Sequence, residues 1–171
     1  MKDPSPLVTP FTIVIDNQEG LPYDFTQVPV GADNAGRERT VPTVSQHLLT
    51  GDYSIEGHED RITIERKSPT DLYGSLTNGR ARLKREIGRM KSMDFSCVLV
   101  EATWPMICNP AKYYPMWQSE ANPSSIVGSI LSWQVRFPWC SWFFAGDRRH
   151  AQAVAFKLLN FYWQGLERSR Q

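Results

Sequence analysis

Cysteine and histidine are both scarce in this 171-residue chain, with three of each. Cys97, Cys108 and Cys140 are odd in number and include no CxxC pair. That excludes a disulfide framework and predicts reduced thiols in a cytosolic protein. His47, His58 and His150 lack metal-ligand spacing, so neither a zinc site nor a histidine-activated nucleophile is expected. No apolar run approaches the roughly 20 residues of a membrane span. The opening MKDPSPLVTP has no apolar signal-peptide stretch, which predicts a cytoplasmic protein that is neither secreted nor membrane-bound. Internal repeats, linkers and low-complexity tails are missing too, so a single domain is expected. Excess charge is lacking as well: the net value of +1 excludes a chain that binds nucleic acid by overall basicity.

The content is that of a soluble globular chain, 41% hydrophobic and 22% charged, and long enough for a sizeable core. Charge is unevenly spread. Between 61 and 91 lie nine bases, Arg80, Lys84 and Arg85 among them, against three acids, a local excess of +6. A basic segment beside clustered acids suits a polyanionic substrate cut at a metal. A solvated helix face would carry the same charge.

Hydrophobic patterning orders the chain. FTIVID (11–16) reads as a buried strand ending at Asp16, and NQEGLPYDFTQVPVGADNAGRER (17–39) as loop. TVPTVSQHLL is extended and leads into a hairpin. The stretch from 68 to 93 is predicted to be one helix, with Ser68 as N-cap, Pro69 at its first position and Asp71 three residues after the cap. Leu72, Leu76, Leu83, Ile87 and Met90 form its buried stripe. CVLVEA is apolar without alternation, as in a strand covered on both faces. An aromatic and proline-rich connection follows, TWPMICNPAKYYPMWQSEANP, which reads as a loop packed over the core, or as one whose aromatics face a substrate. Then come a helix (SSIVGSILSWQVRF), a strand (WCSWFFAG) and a closing helix with Ala151, Val154, Ala155, Leu158 and Tyr162 inward. Trp133, Trp139, Trp142 and Trp163 read as core. This order predicts an α/β layer fold with a central mixed sheet.

The hairpin, GDYSIEGHEDRITIERKSPTD (51–71), holds the chemistry. Its alternation predicts two strands turning about Gly57 and Asp60. That pairing sets Tyr53 opposite Ile64 and Ile55 opposite Ile62 on an apolar face. Ser54 then meets Thr63, and Asp52 meets Glu65, on the other face, which Lys67 shares because side chains alternate. Opposed residues have Cβ atoms about 4.5–5.5 Å apart, and like charges there destabilise. A divalent cation would turn the repulsion into ligation, and the lysine could stabilise developing negative charge or position a water. A solvated face with a salt bridge is the other reading. Asp16 sits at a strand end near this face if the first strand joins the same sheet, and Glu19 follows one turn later.

The same residues resemble a known family. GDYSIEGHEDRITIERKSPTD fits the GDxnERKx3D signature of XPF-type structure-specific endonucleases, DLYGSLTNGR resembles the helix after that motif, and VIDNQE is similar to the family's first acidic motif. The resemblance spans about 11–165. It implies a restriction-endonuclease-like central mixed sheet flanked by helices, in one nuclease domain (11–167) with short tails at 1–10 and 168–171. It also implies metal-dependent hydrolysis of DNA phosphodiester bonds, with Mg2+ or Mn2+ as cofactor, at branched or single-strand/double-strand junction DNA. Carried over by residue, Asp16, Glu19, Asp52, Glu65, Arg66 and Lys67 form the catalytic set. Asp52 and Glu65 hold the metal, with Asp16 a nearby or water-mediated ligand. Arg66 points to the opposite strand face, in a structural or phosphate-contacting role. Asp71 completes the motif, although capping explains it almost as well. Arg80, with Lys84 and Arg85, is the candidate for phosphate contact. The family's arginine within the first acidic motif is replaced by Gln18, and 20–50 lacks a clear amphipathic helix. A tandem helix-hairpin-helix domain is not expected in a chain of this length. A homodimer or a separate DNA-targeting partner, in a bacterial or phage-encoded protein, would then direct it to DNA. The competing expectation is a catalytically inactive DNA-binding or dimerisation module of the same fold.

Overall fold

The computed structural model describes residues 7–27 and 39–170. In chain order the first elements are β1 (Leu7–Val8), β2 (Ile13–Asp16), β3 (Arg39–Thr40), β4 (Thr43–Gln46), β5 (Tyr53–Ile55) and β6 (Ile62–Lys67). Then follow α1 (Pro69–Leu76), α2 (Arg80–Arg89), β7 (Phe95–Val100), α3 (Trp104–Cys108), α4 (Pro110–Tyr113), α5 (Pro123–Arg136), β8 (Ser141–Phe144) and α6 (Arg148–Ser169). Short 3-10 turns stand at Phe25–Gln27 and Met90–Ser92.

A six-stranded mixed sheet runs β4-β2-β5-β6-β7-β8, and β1 pairs with β3 apart from it. The hairpin strands β5 and β6 are antiparallel, as are β2 and β5, while β2–β4, β6–β7 and β7–β8 are parallel. The apolar run of β7 explains the layering. Cys97 and Leu99 pack with Ile13, Tyr53, Ile62 and Ile64 beneath Ala151, Ala155 and Phe156 of α6. Val98 and Val100 pack instead beneath Leu72, Leu83, Ile87, Ile130 and Trp133, from α1, α2 and α5. A strand with helices on both faces has no reason to alternate.

Four expectations differ from the fold. The single helix over 68–93 is broken at Thr77–Gly79. There the Thr77 and Gly79 N–H groups turn back to Gly74, and a Cβ on Gly79 would lie 3.1 Å from the Ser75 Cα. The apolar stripe nevertheless continues across the break, with Leu72, Leu76, Leu83, Ile87 and Met90 all buried. The aromatic connection is not all loop, because Thr103 and two N-terminal prolines start the short α3 and α4. In α6 the fully buried residues are Ala151, Ala155, Phe156 and Leu159, with Val154, Leu158 and Tyr162 only partly covered. Leu7–Val8, read as tail, form β1, and α6 runs on to Ser169. The middle of the loop expected over 17–39, residues 28–38, lies outside the described residues.

Candidate active site

Tyr53 stands opposite Ile64, the register expected from the alternation. The Asp52 N–H donates to the Ile64 carbonyl at 2.8 Å, which seats Asp52 beside Glu65 at the open end of the hairpin. The polar side of this hairpin is not solvated. Ser54 and Thr63 are fully buried and donate to the Ile62 and Thr50 carbonyls at 2.6 and 2.8 Å. Glu65 and Lys67 retain only 7% and 5% exposure, level in the sheet with Val98 and Val100 under the helices. That excludes the solvated-face reading, in which exposed charges would cost nothing.

Burial sets the electrostatics. Desolvation first, then the Glu65 charge, holds the Asp52 carboxyl well above its ordinary range, although the Arg66 N–H donates to Asp52 Oδ2 at 2.6 Å. Glu65 is also raised by burial, against the pull of Lys67, whose Nζ lies 2.6 Å from Glu65 Oε1. Burial alone would lower Lys67, but Glu65, Asp52 and Glu86 together outweigh it and keep the ammonium above its usual value. Lys67 is therefore held as a cation.

The strand β2 brings the other acids alongside. The Asp16 N–H donates to the Asp52 carbonyl at 2.8 Å, and Asp16 Oδ1 accepts from the Leu48 N–H at 2.9 Å. Glu19 follows through a turn, its N–H on the Asp16 carbonyl, and its Oε1 accepts from the Leu21 N–H at 2.7 Å. A cleft of about 670 Å³ is lined by Glu19, Asp52, Glu65, Lys67, Asp71 and Arg82. A recess of about 290 Å³ joins it across Asp52, Glu65 and Arg82, and contains Asp16 and Glu86. Among the described residues no three His, Cys, Asp or Glu side chains gather closely enough to cage a metal. The expected ligands are thus divided: Asp52 and Glu65 face both spaces, and Asp16 faces only the recess. The half-buried Asp52 and the buried Glu65, both open to a polar cleft, fit Mg2+, which keeps several waters and takes one or two carboxylates plus substrate phosphate.

Arg66 lies on the opposite sheet face, as alternation requires. Its guanidinium forks onto Glu101 at 2.8 and 2.9 Å and reaches Glu19 at 3.4 Å. Asp71 caps α1: its N–H donates to Ser68 Oγ, and Ser68 Oγ donates to Asp71 Oδ2 at 2.6 Å. The carboxylate thus takes the serine hydroxyl, where the capping-box reading expected the serine N–H. Arg80 is turned away from the cleft. Its Nη1 donates to Ser129 Oγ at 2.8 Å, and its guanidinium covers the Trp133 ring at 4.8 Å, so it joins α2 to α5. Lys84 and Arg85 are exposed on α2. Sequence reading passed over Arg82, Glu101 and Arg148. The signal for Glu101 was present, an acid ending an apolar strand just as Asp16 does, whereas Arg148 has no local cue.

A family model for the ERCC4 domain matches residues 15–158, from the end of β2 to deep within α6. The chain belongs to the ERCC4 domain family. None of the curated protein sequences matches it. Among solved structures, XPF from Aeropyrum pernix superposes with a TM-score of 0.61 at 20% identity, covering 93% of this chain and 68% of that one. The same protein in complex with DNA gives 0.58 at 20% identity, covering 91% and 66%. This ERCC4 domain chain therefore has the XPF nuclease fold and spans about two thirds of that relative's length.

Proposed function

We propose that this ERCC4 domain protein is a divalent-metal-dependent DNA endonuclease, acting on branched or single-strand/double-strand junction DNA. The observation that carries the reading is the half-buried Asp52 beside the buried Glu65 at the cleft, two carboxylates against the single Lys67 ammonium, an arrangement that opposes stability unless further positive charge is bound. Asp52 and Glu65 would hold Mg2+ or Mn2+, with Asp16 in reach through water. A cation held there supplies a more acidic bound water and neutralises charge at the scissile phosphate. Lys67, kept protonated, donates to a phosphate oxygen or orients the attacking water. Arg82 at the rim, with Lys84 and Arg85 beyond it, would follow the phosphate backbone. The DNA complex of the structural relative supports DNA as the substrate.

The test is cleavage of end-labelled flap, fork, duplex and single-stranded DNA with Mg2+, Mn2+ or chelator. Metal-dependent cuts near the junction are expected, and Glu65→Gln should abolish them while DNA binding persists. Binding without cleavage in either metal would return the chain to an inactive DNA-binding module. Undiminished cutting in chelator would overturn the metal assignment.

A further inference from the structure

Arg66 acts at both of its ends. Its backbone N–H holds Asp52 Oδ2 at 2.6 Å, while its guanidinium crosses to the α6 face and binds Glu101 and Glu19. Glu101 is shared, because its Oε1 also accepts from Arg148 Nη1 at 3.2 Å. Arg148 is the first residue of α6, and its Nη2 donates to the Leu21 and Pro22 carbonyls at 2.9 and 2.7 Å. The guanidinium lies 5.0 Å over the Tyr23 ring, and Tyr23 stacks on Tyr53, the neighbour of Asp52, at 4.9 Å. The Tyr23 N–H donates to the Tyr53 hydroxyl at 2.9 Å. Between β2 and the Phe25–Gln27 turn the chain has neither helix nor strand, so these contacts set its course.

We propose that Arg148 and Glu101 are positioning residues of the nuclease site. They clamp the segment carrying Glu19 and hold Arg66 rigid where its N–H orients Asp52. The charges alternate, Glu19, Arg66, Glu101, Arg148, so no buried member is left without an opposite partner. Without Arg148 the Leu21 and Pro22 carbonyls lose a donor, Glu101 keeps one arginine, and the segment carrying Glu19 is tied back through Arg66 and the Leu21 N–H. Outer residues that orient ligands are worth about 10–100-fold in metal affinity or activity. The inference rests on the function proposed above.

The experiment compares wild type, Arg148→Ala and Arg148→Lys in three measurements. These are Mn2+ affinity by calorimetry without DNA, DNA affinity in chelator, and single-turnover cleavage per folded molecule. Arg148→Ala is expected to bind Mn2+ and to cut about 10–100-fold more weakly at unchanged DNA affinity. Arg148→Lys, with one ammonium for three acceptors, should recover part of both, and it carries the same comparison if the alanine protein does not fold. Wild-type Mn2+ affinity and rate in folded variants would overturn the clamp alone. A wild type that neither binds Mn2+ nor cuts would overturn the function, and the clamp with it.

Discussion

Asp52 faces Glu65 at the cleft, and the Arg66 N–H and Lys67 ammonium offset only part of the cost of ionising it there. Its folded-state pKa lies above the unfolded value, so folding takes up a proton. Metal-free stability therefore falls as pH rises from the ordinary carboxylate range, about 4, through the raised pKa, and stays lower above it. Asp52→Asn keeps an acceptor for the Arg66 N–H and removes the charge. Scanning calorimetry in chelator should show it melting above wild type at neutral pH, by about 2–4 °C for each kcal/mol relieved, with the gap closing in acid. Cleavage by the same variant should fall to background; a lower melting point at all pH values would contradict the electrostatic account. Lys67→Met has the opposite sign. Removing one partner of a buried ion pair costs about 3–5 kcal/mol, so this variant should melt lower. Below its midpoint its single-turnover rate should drop by about 10²–10³-fold, with DNA affinity little changed.

Two turns decide whether the elements deliver these side chains. Gly51, immediately before Asp52, has φ +78°, and a Cβ there would collide with the Thr63 hydroxyl that anchors the loop to the Thr50 carbonyl. Gly51→Ala should destabilise by about 1–2 kcal/mol from left-handed backbone alone and by more from the collision. It should also impair cleavage, because relieving the clash moves Asp52; a denaturant midpoint like that of wild type would refute this. At the start of α1, Asp71 is tied to Ser68 by reciprocal hydrogen bonds. Asp71→Ala should cost about 1 kcal/mol, the usual value of a cap, with cleavage falling only as far as folding does. An unchanged melting temperature with abolished cleavage would make Asp71 part of the site, which its place on the cleft wall allows.

Over the whole molecule the net charge of +1 hides a basic α2 beside an acidic cleft. Removing one phosphate-binding side chain should flatten the plot of log affinity against log salt by about 0.9 on duplex DNA. Alanine at Arg82, Lys84 and Arg85 together should flatten that plot further and weaken binding to all sequences alike. Arg80→Ala should leave the slope unchanged and lower the melting temperature instead, because Arg80 binds Ser129 and covers Trp133. Fluorescence titrations at several salt concentrations, beside melting curves, separate the two roles. A slope insensitive to the triple substitution would place the DNA path elsewhere.

Local geometry explains what the sequence by itself determined. A period of two and a short turn suffice to put Asp52, Glu65 and Lys67 on one face and Arg66 on the other. The apolar runs of β2 and β7 and the stripe of Leu72, Leu83 and Ile87 likewise declare a sheet between helices. Only the tertiary structure decided that the polar hairpin face is buried, since helices meeting it from elsewhere in the chain remove the water. It also decided that Arg80 turns to α5, and that Thr77–Gly79 breaks a helix whose apolar stripe runs straight through. The clamp was out of reach for a simpler reason: Arg66 lies 35 residues from Glu101, and Glu101 lies 47 from Arg148. No periodicity links residues so far apart, and they meet only because β6, β7 and the start of α6 end at the same edge of the cleft.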